Sequence, residues 1–144
     1  MTSLFATHPA TTATATLPRA GRSRTGTSAL WATQLAVAAM FFYVGTLKLT
    51  GAPALVGLFD AIGVGQWLRY VTGTIEVGSA LTLLVPSLAA VGALVLIPTM
   101  IAAIATHLFV VGGTPVPALI LLIGSTAIAW ARRDQLGGAL SKFQ

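Results

Sequence analysis

The sequence lacks cysteine and contains few charged residues. Among its 144 residues are eight lysines and arginines but only three aspartates and glutamates. The absence of cysteine excludes thiol–disulfide chemistry and thiolate metal sites within this chain. Charged residues make up 8% of the chain, whereas an average soluble domain has about 25%. With 56% hydrophobic residues, this composition is typical of a membrane-embedded protein.

Most of the basic residues lie at the two ends of the apolar region. Arg19, Arg22 and Arg24 precede the first apolar run, and Arg132 and Arg133 follow the last one. Positively charged residues of a membrane protein collect on the cytoplasmic side of the bilayer. We therefore predict that both termini are cytoplasmic. The net charge of +5 then reflects membrane orientation, and no nucleic-acid partner is expected.

The apolar runs predict an all-α fold built as a four-helix transmembrane bundle. About 20 apolar residues suffice for a helix to cross the hydrocarbon core. The predicted spans are residues 29–49, 68–85, 88–111 and 116–131. A shorter apolar run at residues 54–62, flanked by glycine and proline, predicts an interfacial helix between spans 1 and 2.

These spans divide the chain into three parts. Residues 1–28, rich in Thr, Ala and Ser, are predicted to be a disordered cytoplasmic tail. Residues 29–133 are predicted to form the four-helix membrane domain, and residues 134–144 a polar C-terminal tail. The lipid bilayer is therefore the first expected partner of this multi-pass chain.

Four ionisable residues are predicted to gather in the outer half of the membrane. Cytoplasmic termini place Lys48 at the outer end of the first span and His107 near the outer end of the third. Arg69 and Glu76 fall in the outer half of the second span. A carboxylate in the hydrocarbon core costs about 2.5–3.5 kcal/mol on insertion scales. We therefore predict that these four residues bind a ligand or form ion pairs.

Each of these residues also has a structural interpretation. Lys48 can extend to the lipid headgroups, and Arg69 can anchor its helix at the interface. Glu76 can form a structural ion pair with Lys48 or Arg69, or be protonated, because burial disfavours the charged carboxylate. His107 can be a hydrogen-bonded packing residue, or it can exchange a proton or contact a bound polar head. One histidine and one glutamate are too few ligands to predict a metal site.

Three short motifs resemble the DoxX-like family of small bacterial integral membrane proteins. They are KLTG at residues 48–51, WLRY at 67–70 and GTIEVGSA at 73–80. The resemblance implies a four-helix protein of the bacterial plasma membrane. Some relatives are linked to quinone-coupled oxidoreductase complexes, including a thiosulfate–quinone oxidoreductase subunit. The residues that carry over are Lys48 and Glu76, together with Arg69 and His107.

These observations lead to one functional hypothesis and two alternatives. The chain is expected to be an accessory subunit of a quinone-linked redox system, with a polar pocket in the outer half of the bundle. It is not expected to be a stand-alone enzyme, so no catalytic residue is assigned, and quinone is the cofactor that the resemblance implies. The alternatives are a structural or assembly protein without a ligand, and a small solute or proton carrier. The oligomeric state stays open.

Overall fold

The computed structural model describes residues 24–136 of the chain. All regular structure in this range is helical, which confirms the predicted all-α class. The helices are α1 Arg24–Thr50, α2 Pro53–Ile62, α3 Trp67–Leu84, α4 Ala89–Thr106 and α5 Val116–Ala131. Most of the predicted N-terminal tail (residues 1–23) and the end of the C-terminal tail (residues 137–144) lie outside the described residues.

Two helix ends differ from the sequence-based expectation. α1 begins at Arg24, ahead of the predicted start of the first span at residue 29. Hydropathy indicates which residues suit lipid, whereas backbone hydrogen bonds determine where a helix begins, so α1 extends into the polar sequence. At the far end of the third predicted span, α4 passes into a π-helical turn, His107–Val111. Such turns often occur at functional positions.

The four long helices contact one another in cyclic order. α1 packs along α3, α3 packs against α4, α4 packs against α5, and α5 contacts α1. The short helix α2 contacts α1, α3 and the π-helical turn, so it lies at one end of this ring. The buried hydrophobic core contains Val37, Ala38, Phe41, Ala80, Leu83, Ala93, Leu96, Met100, Ala118, Ile128 and Ala129.

Polar residues point into this core, while large apolar residues cover its outside. On α3, the polar residues Arg69, Glu76 and Ser79 are buried, so the side of this helix on which they lie faces the other helices. Exposed hydrophobic side chains include Phe109 and Ile120. A surface of this kind suits a lipid environment, in which buried polar groups must find partners among the helices.

Two helices in the described range satisfy the length and composition of a membrane span. They comprise Gly26–Thr50 and Ala89–Val111. α5 is apolar but shorter, and α3 contains Arg69 and Glu76. The count of four spans therefore remains a prediction.

A buried amide joins three helices at the end of the ring away from α2. The Gln34 Nε2 group donates a hydrogen bond to the carbonyl oxygen of Leu83, at the end of α3. Arg132 Nε, just beyond α5, donates to Gln34 Oε1 at 2.8 Å. The Arg132 guanidinium also lies 5.1 Å from the ring centroid of Trp31 on α1. These contacts fix the relative positions of α1, α3 and α5.

Candidate ligand-binding site

A buried ion pair joins α1 to α3 near the end of the ring covered by α2. Lys48 Nζ lies 2.5 Å from Glu76 Oε1. Only 1% of the Glu76 side chain is exposed, against 12% for Lys48. The second carboxylate oxygen, Glu76 Oε2, is buried and has no hydrogen-bond partner among the described residues. A buried acceptor without a partner is costly, so Glu76 Oε2 marks a place where a hydrogen-bond donor would stabilise the protein.

Two glycines allow the ion pair to form, because they let α1 and α3 approach closely. A Cβ atom added to Gly45 would lie 2.8 Å from Val77 Cγ2 and 3.0 Å from the Gly73 carbonyl oxygen. A Cβ added to Gly73 would lie 3.0 Å from Lys48 Cβ. The backbones are therefore nearly in contact, one turn away from the pair, which brings the two charged groups within reach.

Arg69 is buried beside the pair and holds the end of α1. Its Nη1 group donates a hydrogen bond to the Lys48 carbonyl oxygen, and its Nε group donates to Gln66 Oε1 at 2.6 Å. The guanidinium also lies 4.2 Å from the ring centroid of Tyr70. Arg69 does not line the cavity described below. Its contacts are those of a residue that positions Lys48.

Gln66 is a site residue that the sequence reasoning did not identify. Its Nε2 group donates to the Val56 carbonyl oxygen at 2.9 Å and to Asp60 Oδ1 at 2.7 Å, while its Oε1 accepts from Arg69. It thus attaches α2 to the start of α3. The only signal in the sequence is an uncharged polar side chain immediately before a predicted helix, which is common in loops.

A cavity of about 530 Å³ contains the ion pair in its wall. This volume falls within the range of about 300–1,000 Å³ that is usual for small-molecule sites. All five helices contribute to its mainly apolar lining. The lining residues on α1 and α2 are Met40, Phe41, Val44, Lys48, Leu55, Leu58, Phe59 and Ile62. Those on the other helices and the π-helical turn are Leu68, Val71, Thr72, Ile75, Glu76, Pro98, Thr99, Met100, Ala102, Ala103, Thr106, His107, Pro117, Ala118 and Leu121.

His107 also lines this cavity, at the start of the π-helical turn. Its Nδ1 lies 3.3 Å from the Gly112 carbonyl oxygen, so the hydrogen bond that the structure gives this ring is local. The structure therefore places three of the four predicted residues on one cavity, namely Lys48, Glu76 and His107, and Arg69 behind it. Within residues 24–136, no cluster of three metal-ligating side chains is found.

The polar groups of the lining offer the remaining N–H donors of Lys48 and several acceptors, among them Glu76 Oε2. The hydroxyls of Thr72, Thr99 and Thr106 donate to backbone carbonyls of their own helices. A lysine ammonium has three N–H donors, and Glu76 accepts from one of them. The pair is neutral overall when both groups are charged. The site is thus suited to a neutral molecule with a large apolar part and a polar head that can accept from Lys48 Nζ or donate to Glu76 Oε2.

The sequence model of the DoxX-like family matches residues 32–133, which is more than half of the chain and includes the whole cavity lining. A search of the curated proteins and of the solved structures found no match.

Proposed function

Because the chain belongs to the DoxX-like family of membrane proteins, we propose that it is an accessory subunit of a quinone-linked redox system that binds a quinone in the cavity. In this role the chain supplies the binding site, and a partner oxidoreductase exchanges electrons with the quinone. The chain has no cysteine, so any thiol redox chemistry belongs to the partner.

The observation that carries this proposal is a charged pair placed in the wall of an apolar cavity. Two charges taken out of water are costly to bury, and apolar residues of similar volume would often stabilise a fold as well or better. A role in binding the polar head of a ligand would explain why a charged pair occupies this position. A quinone offers carbonyl oxygens that can accept from Lys48 Nζ, while its ring suits the surrounding aliphatic and aromatic side chains.

The remaining residues of the site have supporting roles in this proposal. Glu76 holds the Lys48 ammonium toward the cavity, and Arg69 fixes the backbone at the end of α1. The imidazole of His107 provides a second group that can hydrogen-bond the head.

The proposal includes an arrangement in a bacterial plasma membrane. α1, α3, α4 and α5 would cross the bilayer, and α2 would lie in the outer interface above the cavity. The apolar outer surface supports this arrangement. The arginines before α1 and after α5 support cytoplasmic termini, with residues 1–28 and 134–144 flanking a membrane domain at residues 29–133.

A quinone titration of the purified protein tests the proposal. We compare the wild type with the Glu76→Ala/His107→Ala double variant, and use Arg133→Ala, an exposed substitution at the opposite end of the ring, as the control. Wild type and control should bind with the same affinity, and the double variant at least about tenfold more weakly, a loss of about 1.4 kcal/mol. Equal binding by all three proteins would remove the cavity as the site.

A structural role for the pair is the second candidate, and the direct contact between Lys48 and Glu76 favours it. If the pair serves only the fold, replacing both residues with leucine should restore the stability that either single replacement loses. The double-leucine variant therefore separates the two functions. Restored stability without quinone binding supports a binding role, whereas restored stability with unchanged quinone binding supports a structural one.

A further inference from the structure

We infer that the cavity takes a long-chain amphipathic ligand sideways from the bilayer, with the ligand's chain leaving between α3 and α4. This inference rests on the proposed function, since it describes how a quinone-like ligand would lie in the same cavity. It adds the class of ligand, a head group joined to a chain that remains in the lipid, and the side of the protein through which the ligand passes.

α3 and α4 are in close contact near the start of α4. A Cβ atom added to Gly92, near the start of α4, would lie 2.9 Å from the Ser79 carbonyl oxygen and 3.3 Å from the Leu83 nitrogen. Farther along the two antiparallel helices, toward α2, the cavity lies between them. Thr72 on α3 and Thr99 on α4 both line it. The cavity therefore separates side chains of the two helices at the end that contains the ion pair.

Four residues at this end of α3 and α4 line the cavity and are also exposed on the outside of the protein. Val71 and Ile75 on α3 are 43% and 37% exposed, and Pro98 and Ala102 on α4 are also exposed. We call this set the α3–α4 opening. Its members are apolar, and two of them have short side chains, so the opening connects the cavity with the surface that faces the acyl chains.

The end of the cavity near α2 is covered by this short helix. Phe59 on α2 is buried, and the Lys48 ammonium lies 6.0 Å from its ring centroid. Gln66 holds this short helix through its hydrogen bonds to Val56 and Asp60. A ligand arriving from water would have to displace α2, whereas a ligand dissolved in the bilayer meets the α3–α4 opening directly.

The gap between α1 and α5 is a less suitable exit. Its cavity-lining residues include Met40, which is 47% exposed and has a long side chain, and Leu121, which packs against the core. The α3–α4 opening has the smaller side chains, Pro98 and Ala102, and it lies beside Glu76 on α3.

A lateral exit removes the limit that a closed cavity would place on the length of the ligand's chain. The volume of about 530 Å³ has to hold only the head and the first part of the chain. The remaining chain would lie along exposed apolar residues, in the lipid. The site should therefore accept chains of very different lengths, because added methylene groups stay in an apolar environment whether the ligand is free in the membrane or bound.

Photoaffinity labelling tests the exit. The probe is a benzoquinone whose alkyl chain carries a diazirine several carbons from the ring, added to the full-length protein in lipid nanodiscs. Labelling that excess unlabelled decyl-benzoquinone suppresses should map to Val71, Ile75, Pro98 or Ala102. Suppressible labelling at Met40 and Leu121, or on α2, would overturn the inference and leave the proposed function intact. No suppressible labelling anywhere would contradict both.

A matched pair of variants provides the second measurement. Ala102→Trp fills the α3–α4 opening, while Ala127→Trp places the same side chain on an exposed part of α5 away from the cavity. Ala102→Trp should weaken binding of decyl-benzoquinone by about tenfold or more, and Ala127→Trp should leave it unchanged within about twofold. Equal affinities of the two variants for the decyl compound would contradict an exit at this position.

Discussion

Glu76 is a carboxylate whose side chain is almost completely buried and whose described partner is the ammonium of Lys48. The sequence predicted that these two residues meet in the outer half of the membrane, because consecutive spans run in opposite directions. It left open whether Lys48 or Arg69 pairs with Glu76, since both are within reach. In the structure Lys48 forms the ion pair with Glu76, and Arg69 donates a hydrogen bond to the Lys48 carbonyl oxygen at the end of α1.

Removing the ammonium should destabilise the protein more than removing the carboxylate charge. Lys48→Met leaves Glu76 buried without its partner, and loss of one member of a buried pair costs about 3–5 kcal/mol. Glu76→Gln keeps an oxygen that can accept from Lys48, which is also the more exposed partner. Thermal or denaturant unfolding in one detergent checks this order. Equal losses from the two variants would contradict the burial argument.

The hydrogen bonds of Gln66 could not be predicted from the sequence. Its hydrogen bonds to α2 and to Arg69 depend on how a ten-residue helix docks against the start of α3. Periodicity describes the faces of one helix, but it does not give the orientation of a second helix across a short glycine-containing connection. For the buried Gln34, the sequence predicted its place in the first span, but it did not predict its hydrogen-bond partners Leu83 and Arg132.

At the level of helices, the contact between α1 and α3 determines the geometry of the site. Gly45 and Gly73 face each other across this contact, and neither has room for a methyl group. Small residues of this kind let membrane helices approach closely. The positions of the helices were largely predictable from apolar runs punctuated by glycine and proline. The π-helical turn at His107–Val111 was not, because its apolar sequence gives no sign of a change in hydrogen-bonding pattern.

Adding methyl groups at this contact should separate the two helices. Gly45→Ala and Gly73→Ala each force an approach to backbone or Cβ atoms that cannot easily move, and overpacking typically costs about 1–3 kcal/mol. Gly78→Ala is the matched control, because a Cβ atom there would have no neighbour within 4 Å. Alanine also favours helix over glycine, so the control should be neutral or slightly stabilising.

The free energy of unfolding and quinone affinity should be measured for all three glycine variants. Gly45→Ala and Gly73→Ala should lose both stability and affinity, since the ion pair is one turn away. A Gly78→Ala variant that is destabilised as much as the other two would show that helix separation is not the cause.

At the scale of the whole molecule, the cavity lies between helices that come from all parts of the described chain. Residues from α1 to α5 line it, so no local pattern could have predicted its volume or its α3–α4 opening. What the sequence did predict is the end of the bundle at which the ionisable residues meet. That inference followed from alternating helix directions, and it depends on the chain crossing the bilayer four times.

The absence of native cysteine makes this arrangement directly measurable. Ser87 lies between α3 and α4, and Thr114 lies between the π-helical turn and α5, and both are exposed. With cytoplasmic termini, a membrane-impermeant maleimide should label the Thr114→Cys variant in intact cells. It should label Ser87→Cys only after the membrane is disrupted. The reverse pattern would contradict the orientation, and labelling of both variants in intact cells would contradict the four-span arrangement.

The central claim is that Lys48 donates a hydrogen bond to the head of a bound quinone. Infrared difference spectroscopy with a carbonyl-labelled quinone measures this contact most directly, because a hydrogen bond lowers the carbonyl stretching frequency. Wild type and the Arg133→Ala control should show the same lowered band, and Lys48→Met, at saturating quinone, should show a band shifted toward that of quinone in lipid. An identical lowered band in Lys48→Met, or none in the quinone-saturated wild type, would contradict the account.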